Sequence, residues 1–434
     1  MTIILKDTMP YDCISLKDSG YFSALICDYL EQKDSIKPLY NRFPTLDNFG
    51  LQMAEKELSF SVSNRKILTT ILKKQYKSIA ISEAVQKNIH LLEDQKTFTI
   101  TTGHQLNLFT GPLYFLYKIV STINLCRQLK NRYPKNDFVP VYWMATEDHD
   151  FDEINFFNFN SKKLEWHQTS GGAVGELSTT GLDKVLQTFS NQLGTSPNAE
   201  KLRKLFSEAY LNNSNLSNAT RFLVNELFGD EGLVILDANE PTLKQLFVPY
   251  IENELFENSC SQAVAKTNET INSLEEKKYK LQVNPREINL FYLMKGSRER
   301  IVEQDGNFYI NNSDKRYSAA QMKAEVAKCP ERFSPNVLMR PLYQEVILPN
   351  LCYIGGGGEL AYWLQLKSYF ELQNIPFPIV LLRNSAVLIS PKQAGKVSRL
   401  DLNLRDLFLP KTTLENKITR QLSEIVIDFS QQRK

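Results

Sequence analysis

Five short apolar runs, each followed by polar or glycine-rich residues, constrain the fold of this chain more than any other feature. Most of them lead into a stretch of helical periodicity, and strands alternating with helices are typical of an α/β protein with a parallel sheet. Because ligands bind beyond the carboxyl ends of such strands, we expect the polar residues there to lie at one edge of one sheet. The predicted strands occupy residues 97–102, 139–145, 233–236, 351–354 and 378–382.

The second run ends in a cluster of titratable residues, with further acids close behind it. Carboxylates that orient and charge an imidazole let it act as a base, an acid or a ligand near neutral pH. The alternative is that one acid caps the next helix while the others are solvated, but titratable groups in a row favour a functional site. The cluster consists of Glu147, Asp148, His149 and Asp150.

The first run ends in Gly103, His104 and Gln105, ahead of a helix predicted from residue 113. Glycine allows a tight turn and a close approach of a ligand to the backbone, and a helix N-terminus attracts anions. The sequence therefore predicts an anion site around His104. A satisfied, partly buried histidine is an equally good interpretation.

Four consecutive glycines, Gly355 to Gly358, and then Glu359 lie between the fourth predicted strand and a helix. Such a connection is typical of a cradle for phosphate or carboxylate groups. It is neither a Walker A loop, because the Lys-Ser/Thr pair is missing, nor a GxGxxG fingerprint. The fifth predicted strand ends in Arg383, Asn384 and Ser385, which adds polar groups to the same edge.

The remaining segments predict additions to this core. Residues 1–95 have helical periodicity, residues 155–230 form an insert, and residues 259–333 predict a small inserted domain with a hairpin turn at Asp305-Gly306. Arg298 and Arg300 of that domain could bind a carboxylate or phosphate, or form a solvated edge.

After Pro391, leucines and isoleucines from Leu400 to Ile427 predict a long helix of near-heptad spacing. We expect this helix to need a partner, so the chain is expected to be truncated, or to pair with its N-terminal helices or another subunit.

Composition excludes several classes of protein. The 51 basic and 49 acidic residues give a net charge of +2, which argues against a general binder of nucleic acid or membrane surfaces. The sequence has no apolar run long enough for a bilayer and no signal peptide at its start. Its six scattered cysteines and four histidines predict reduced thiols in a cytoplasmic protein rather than a disulfide framework or a zinc site.

Four motifs together resemble the bacillithiol biosynthesis cysteine-adding enzyme family. They are TTGHQ with FTGPLY from Thr101, MATEDHDFDEI from Met144, FSPNVLMRPLYQE from Phe333 and YIGGGGELAYW from Tyr353. The resemblance covers roughly residues 95–395, and four motifs in this order are highly specific.

The resemblance implies an α/β fold: a Rossmann-like parallel-sheet core, inserted connecting-peptide modules and a C-terminal antiparallel coiled coil that forms a homodimer. In this chain the core would comprise residues 96–258 and 334–392, and the coiled-coil helix would start within 393–434, ending short of the family's length. The implied reaction joins cysteine to glucosaminyl-malate through an amide. The family resembles nucleotidyl-transfer enzymes such as class I aminoacyl-tRNA synthetases, but this chain lacks their HIGH and KMSKS signatures. ATP is the expected activator, but the resemblance does not imply that cysteine is adenylated.

Roles for the motif residues follow as hypotheses. His104 and the backbone of Gly103 to Gln105 would stabilise phosphate charge, and Asp148 or His149 would act as the base. Gly355 to Gly358 and Glu359 would seat substrate, while Asn336 and Arg340 would bind the malate carboxylate. We also expect Glu147, Asp150 and Asn384 to contribute to binding, with no metal.

Two alternatives stay open at this point. One is a sugar- or nucleotide-binding protein without catalysis. The other is a metal-dependent hydrolase that uses residues 147–150, although consecutive strand residues alternate direction and rarely reach one metal together.

Overall fold

The fold is described from a computed structural model, which covers residues 11–274 and 279–422. Within these residues the strands form a parallel sheet, a second, antiparallel sheet and a separate hairpin. The strands are β1 (Thr97–His104), β2 (Asp137–Met144), β3 (Phe156–Phe159), β4 (Lys162–Glu165), β5 (Val234–Asp237), β6 (Leu290–Met294), β7 (Ser297–Gln304), β8 (Asn307–Ile310), β9 (Arg316–Ser318), β10 (Phe333–Pro335), β11 (Asn350–Gly355) and β12 (Ile379–Leu382).

Helices precede, connect and follow these strands. They are α1 (Ala24–Leu30), α2 (Leu46–Ser59), α3 (Val62–Gln75), α4 (Glu83–Leu91), α5 (Tyr114–Arg132), α6 (Phe151–Ile154), α7 (Leu182–Gln192), α8 (Pro197–Tyr210), α9 (Leu216–Phe228), α10 (Pro241–Gln245), α11 (Val248–Glu257), α12 (Ser259–Ser273), α13 (Ala319–Lys328), α14 (Arg340–Ile347), α15 (Gly357–Leu364), α16 (Lys367–Leu372), α17 (Pro391–Arg399) and α18 (Lys411–Leu422).

The parallel sheet confirms the five predicted strands. Its order is β12-β11-β1-β2-β5, and every neighbouring pair is parallel. The chain therefore moves from β1 to β2 and β5 on one side, and later adds β11 and β12 on the other. The order reverses between β1 and β11, which is the position where open α/β sheets bind ligands.

The sheet is fully buried in its centre, as continuous apolar strands require. Side chains of α2 and α5 pack on β1, β11 and β12 and exclude water from this face. The cluster contains Phe49, Met53, Phe98, Ile100, Leu125, Cys126, Leu129, Phe138, Leu351, Cys352, Ile354 and Ile379.

The antiparallel sheet has the order β10-β6-β7-β8-β9, and its strands fall largely within residues 259–333, for which a small inserted domain stays a prediction. Its β7–β8 turn confirms the predicted hairpin, since Asp305 and Gly306 both have positive φ, 51° and 75°. Strand β10 leads through residues 336–339 into α14. The antiparallel sheet is thus joined directly to the segment that precedes the fourth strand of the core.

Residues 32–385 form one compact unit, and residues 11–31 with 386–422 form another. In the second unit the predicted single helix is wrong over residues 400–409, because α17 ends at Arg399 and α18 begins at Lys411. Pro410 lacks the N–H that a continuing helix needs, and Asp401 has a φ of 51°. The predicted heptad positions Ile425 and Ile427 lie outside the described residues, so the coiled coil and the homodimer stay predictions. Among residues 11–274 and 279–422, no helix is long and apolar enough to cross a membrane.

Candidate active site

The polar strand ends meet at the carboxyl edge of the parallel sheet, and their charges divide into two halves. We call the basic half the group around the β1/β11 crevice: Lys118, Arg340, Arg383, His104, Tyr353 and Glu359. We call the acidic half the group beyond β2: Gln105, Glu147, Asp148, His149, Asp150 and Glu153.

Arg340 supplies one of the cations of the basic half. It is the first residue of α14, and its Nη1 donates a hydrogen bond to Gln344 Oε1 at 3.0 Å. Its guanidinium carbon lies 5.4 Å from the ring centroids of both Trp143 and Tyr353. The buried Nη2 has no hydrogen-bond partner in the part of the chain that the structure describes. Since an unsatisfied buried donor is costly, this atom favours a bound acceptor.

Lys118 and Glu359 pair across the crevice between β1 and β11. The Lys118 Nζ lies 2.6 Å from Glu359 Oε2 and donates to the Gly103 carbonyl at 2.8 Å. Glu359 also accepts hydrogen bonds from the Tyr353 hydroxyl at 2.5 Å and the Gly356 N–H at 2.8 Å. Burial lowers the pKa of Lys118, and Glu359 offsets only part of this effect. The Glu359 carboxylate is therefore a fixed internal anion of the basic half.

His104 and Arg383 complete this half. The His104 ring packs 5.5 Å from Tyr114 and 5.1 Å from Phe115 between centroids. Burial, with Lys118 and Arg383 nearby, holds the pKa of His104 well below its usual range, so the ring is neutral. Among the described residues, neither His104 Nε2 nor Arg383 Nε has a hydrogen-bond partner. Three cations thus surround one carboxylate, and three buried nitrogens are left for a ligand.

The four glycines lie where the cradle was predicted. Gly355 ends β11, Gly356 precedes α15, and Gly357 and Gly358 form its first turn. A Cβ at Gly355 would lie 2.9 Å from both Glu359 Cβ and Tyr353 Cε1, so only glycine fits between these side chains. The glycines bring the strand and the Glu359 carboxylate together.

Asp148 is the centre of the acidic half. Gln105 Nε2 bridges Asp148 Oδ2 at 2.9 Å and Glu153 Oε2 at 2.8 Å, and the His149 N–H donates to Asp148 Oδ1 at 2.7 Å. Burial opposes ionisation of Asp148, but the hydrogen bonds from His149 and Gln105 outweigh it and lower its pKa to about 2. Asp148 is therefore an anion throughout the neutral range.

Glu147 anchors the loop after β2 to α10. It forms an ion pair with Lys244, which is completely buried and also donates to the Phe333 carbonyl at 2.8 Å. Burial lowers the pKa of Lys244, while Glu147 opposes that shift. The pair holds the acidic loop against β10, so Glu147 has a structural partner as well as a place in the predicted site.

His149 contacts an arginine that the antiparallel sheet supplies. Arg298, on β7, places its Nη1 3.1 Å from His149 Nδ1. A guanidinium only donates, so Nδ1 accepts and the imidazole carries its proton on Nε2. This contact therefore favours the tautomer of His149 with its proton on Nε2.

The same contact bears on the metal alternative. Ligand atoms of Asp148, His149 and Asp150 lie within 4.8 Å of one another, so this group could hold a cation. A metal on His149 Nε2 would require the proton on Nδ1, where it would face the Arg298 donor. A metal on Nδ1 would have to displace Arg298. The Arg298 contact therefore disfavours His149 as a metal ligand in this arrangement.

The two predicted asparagines take different places. Asn336 donates to Asn289 Oδ1 at 2.9 Å, and its own Oδ1 accepts from the N–H groups of Leu338 at 2.9 Å and Met339 at 3.2 Å. It therefore shapes the turn that presents Arg340. Asn384 follows β12, and its N–H lies 3.4 Å from Ser121 Oγ while its carbonyl accepts from Arg383.

Several residues of this edge were not among the predicted site residues. Arg383 directly follows the fifth strand, and the strand-end rule alone could have selected it. Lys118 and Lys244 resemble ordinary surface lysines of amphipathic helices in the sequence. Only tertiary packing buries them, so no local signal distinguishes them.

A parallel sheet of this order, with glycines and charged groups at its switch point, defines a Rossmann-like α/β enzyme. Comparison with known families supports this class: the family model described as "Bacillithiol biosynthesis BshC, N-terminal Rossmann-like domain" matches residues 9–384.

Three relatives share the name cysteine ligase BshC. The protein of Flavobacterium johnsoniae is 56% identical over 425 residues, that of Flavobacterium psychrophilum 56% over 426, and that of Christiangramia forsetii 52% over 429. Each alignment covers 98% of this chain and 79% of the relative. The chain belongs to the BshC family of bacillithiol biosynthesis and is a ligase-class enzyme.

Proposed function

We propose that this enzyme joins cysteine to glucosaminyl-malate through an amide bond, with ATP as the activator. The observation that carries the proposal is the division of charge at the sheet edge. Amide formation brings together a carboxylate and an amine, and the latter is an ammonium ion in neutral water. A cationic half beside an anionic half suits these two groups.

The basic half would bind the anionic groups of the substrates. Arg340 Nη2, Arg383 Nε and His104 Nε2 are buried nitrogens without partners among the described residues. Guanidinium groups bind carboxylates and phosphates with charge-assisted hydrogen bonds. The malate carboxylates, the cysteine carboxylate and the phosphates of ATP are the groups that we assign here.

A free carboxylate is a poor electrophile, so the acyl group must be activated before the amine attacks. ATP supplies that activation when bound, and negative charge then develops on its phosphates. Lys118, Arg340 and Arg383 would stabilise this charge because they are held in place before any ligand arrives.

The acidic half would bind the amine and accept its proton. Asp148, with a pKa of about 2, is a weak base at neutral pH, and the His149 Nδ1 already accepts from Arg298. Burial and the neighbouring Asp148 raise the pKa of Asp150. We therefore propose Asp150 as the base, in place of Asp148 or His149, with Asp148 as the fixed anion that attracts the ammonium.

The test is an incubation of purified protein with glucosaminyl-malate, cysteine and ATP, followed by mass spectrometry of the product and nucleotide analysis. The amide with AMP indicates an adenylate, and the amide with ADP indicates an acyl phosphate. Ligand binding without product under all conditions would contradict catalysis and favour the binding-protein alternative.

A Lys118→Met variant tests the assignment of the basic half. Loss of a charged hydrogen-bond partner costs about 1.5–3 kcal/mol, so we expect kcat/KM to fall by roughly ten- to a hundredfold. Lys130→Met is the matched control, since Lys130 lies on the same helix near its exposed end and donates to Asp137 at 2.8 Å. Equal activities of the two variants would contradict the assignment.

A further inference from the structure

We propose that Arg298 is a positioning residue: the β6–β7 hairpin carries it to His149 and it holds the imidazole as the Nε2–H tautomer. His149 would then present a hydrogen-bond donor to an acceptor oxygen of the substrate in the acidic half. The identity of that substrate rests on the proposed function, whereas the tautomer does not.

The Arg298 guanidinium is fixed on all of its edges. Its Nε donates to Ser334 Oγ at 3.1 Å, its Nη2 to the Pro335 carbonyl at 3.1 Å, and its Nη1 faces His149 Nδ1 at 3.1 Å. Its central carbon also lies 4.0 Å from the centroid of the Phe291 ring. Because β10 and the ring hold the plane of the guanidinium, the direction of the Nη1 donor is set by the antiparallel sheet.

This donor determines the proton of His149. Guanidinium nitrogens do not accept hydrogen bonds, so Nδ1 is the acceptor and Nε2 carries the hydrogen. The Asp148 carboxylate oxygen that faces the same Nδ1 lies 3.7 Å away, too far for a direct hydrogen bond that would draw the proton to Nδ1. The Nε2 atom lies 3.8 Å from the nearest Asp150 carboxylate oxygen, which is too long for a direct hydrogen bond. Forty per cent of the His149 side chain is exposed, so a ligand in the acidic half can reach the Nε2–H.

A glycine segment sets the distance between the hairpin and the His149 loop. A Cβ at Gly171 would lie 2.3 Å from the Gly296 carbonyl oxygen, at the tip of the β6–β7 hairpin. A few residues further on, the Val174 N–H donates to the Asp148 carbonyl at 2.7 Å and the Gly175 N–H to the Thr146 carbonyl at 2.9 Å. The segment therefore contacts the hairpin tip on one side and the loop before His149 on the other. Its glycines permit the close approach that brings Arg298 to the imidazole.

The decisive experiment observes the ring nitrogens of His149 by NMR of the full chain labelled with ¹⁵N-histidine. The four histidines make the spectrum assignable, with His149→Gln identifying the signal. We expect the Nε2–H tautomer in the parent protein and a mixture of tautomers in Arg298→Met. Arg300→Met, an exposed arginine two residues further along β7, should leave the spectrum unchanged. An Nδ1–H tautomer in the parent, or an unchanged tautomer in Arg298→Met, would overturn the proposal.

Gly171→Ala moves the hairpin without removing the guanidinium and guards against a misfolded Arg298 variant. It should change the His149 signal in the same direction as Arg298→Met. Gly194→Ala is its control, because a Cβ at Gly194 meets nothing within 4 Å. An unchanged His149 signal in Gly171→Ala, with the hairpin displaced, would contradict the role of the glycine segment.

The ligase assay adds a functional measurement. Replacing a residue that orients a functional histidine typically lowers activity by about 10- to 100-fold. We therefore expect a loss of this size in kcat for Arg298→Met, with little change in KM. Arg298→Lys, which keeps a donor and the charge, should recover part of kcat. If the parent and all variants form no amide, the proposed function is wrong. The NMR measurement still decides which tautomer His149 adopts. A change in KM alone, with kcat and the tautomer of His149 unchanged, would contradict the role of Arg298 as a positioning residue.

Discussion

Replacing Lys56 by methionine should destabilise the 32–385 unit by leaving a buried carboxylate without its cation. Lys56, on α2, places its Nζ 3.0 Å from Glu345 Oε2, and the two side chains are 1% and 0% exposed. Gln344 and Asn350 also donate to Glu345, at 3.0 Å and 2.6 Å. Gln344 in turn accepts from Arg340, so the pair supports the basic half of the site.

The magnitude follows from burial. Breaking a buried ion pair by removing one partner costs about 3–5 kcal/mol, because the remaining charge is uncompensated. The two amide donors that stay on Glu345 place the expected loss at the lower end, about 3 kcal/mol. Methionine fills a similar volume, so no cavity adds to the loss. Adding Glu345→Gln removes the unpaired charge and should recover about 2 kcal/mol.

The loss should depend on pH. Burial raises the pKa of Glu345, and Lys56 is the largest opposing influence. Without Lys56 this pKa rises further, so the folded variant binds a proton more tightly than the unfolded chain does. Relative to the parent, the variant therefore keeps its stability at pH values below the pKa of a glutamate in the unfolded chain, about 4.3. It loses that stability as the pH rises through the higher pKa of Glu345 in the folded variant. The difference in unfolding free energy should be larger at pH 8 than at pH 5.

Urea unfolding followed by tryptophan fluorescence measures this difference. All three tryptophans, Trp143, Trp166 and Trp363, lie within residues 32–385, so the signal reports on this unit. Lys66→Met, an exposed lysine of α3, is the control and should stay within about 0.5 kcal/mol of the parent. A difference below about 1 kcal/mol for Lys56→Met, or equal differences at both pH values, would refute the reasoning.

Three further predictions concern the loops of the site. Gly111→Ala should cost at least about 2 kcal/mol in urea unfolding, because Gly111 has a φ of 60° and its Cβ would lie 2.5 Å from Asn107 Cβ; Gly194→Ala should be neutral. Asp148→Asn should lower the free energy of unfolding by about 2 kcal/mol at pH 7, since folding lowers the pKa of Asp148 from 3.8 to about 2. This loss should shrink as the pH drops from 4 towards 2, and a constant loss over that range would contradict the assignment. Lys244→Met should lower the free energy of unfolding by about 3 kcal/mol, and the double variant Lys244→Met/Glu147→Gln should be more stable than Lys244→Met alone. Calorimetry that ranks the two variants in the opposite order would exclude this ion pair as an anchor.

The sequence was sufficient for the five parallel strands because each one is a continuous apolar run with polar residues behind it. It also predicted the edge at which the polar residues meet, since all parallel strands end on the same side. It did not predict the strand order. The adjacency of β1 and β11 depends on contacts such as Thr99 Oγ1 to Asn350 Oδ1, which are 251 residues apart in the chain. No local pattern encodes such a pairing.

The same limit applies to the site. The strand-end pattern predicts His104 and His149 at the same edge of the sheet, yet packing places them in different halves with different partners. The contact of Arg298 with His149 joins β7 to the loop after β2, and the burial of Lys118 depends on α15. The predicted helix over residues 400–409 is wrong for a local reason, because Pro410 follows these leucines and lacks the N–H that a continuous helix needs.

The late pairing of β1 with β11 has a consequence for synthesis in the cell. Ribosomes add about 5–20 residues per second, so the 251 residues between Thr99 and Asn350 take roughly 13–50 s to make. During this time β2 can cover one side of β1, but the other side exposes an uncharged, β-branched strand, TFTITT, with free backbone groups. Such an edge invites pairing with another nascent chain. The feature that creates the crevice in the finished enzyme thus makes the unfinished chain prone to aggregate, and yield in the cell should depend on translation speed and on chaperones.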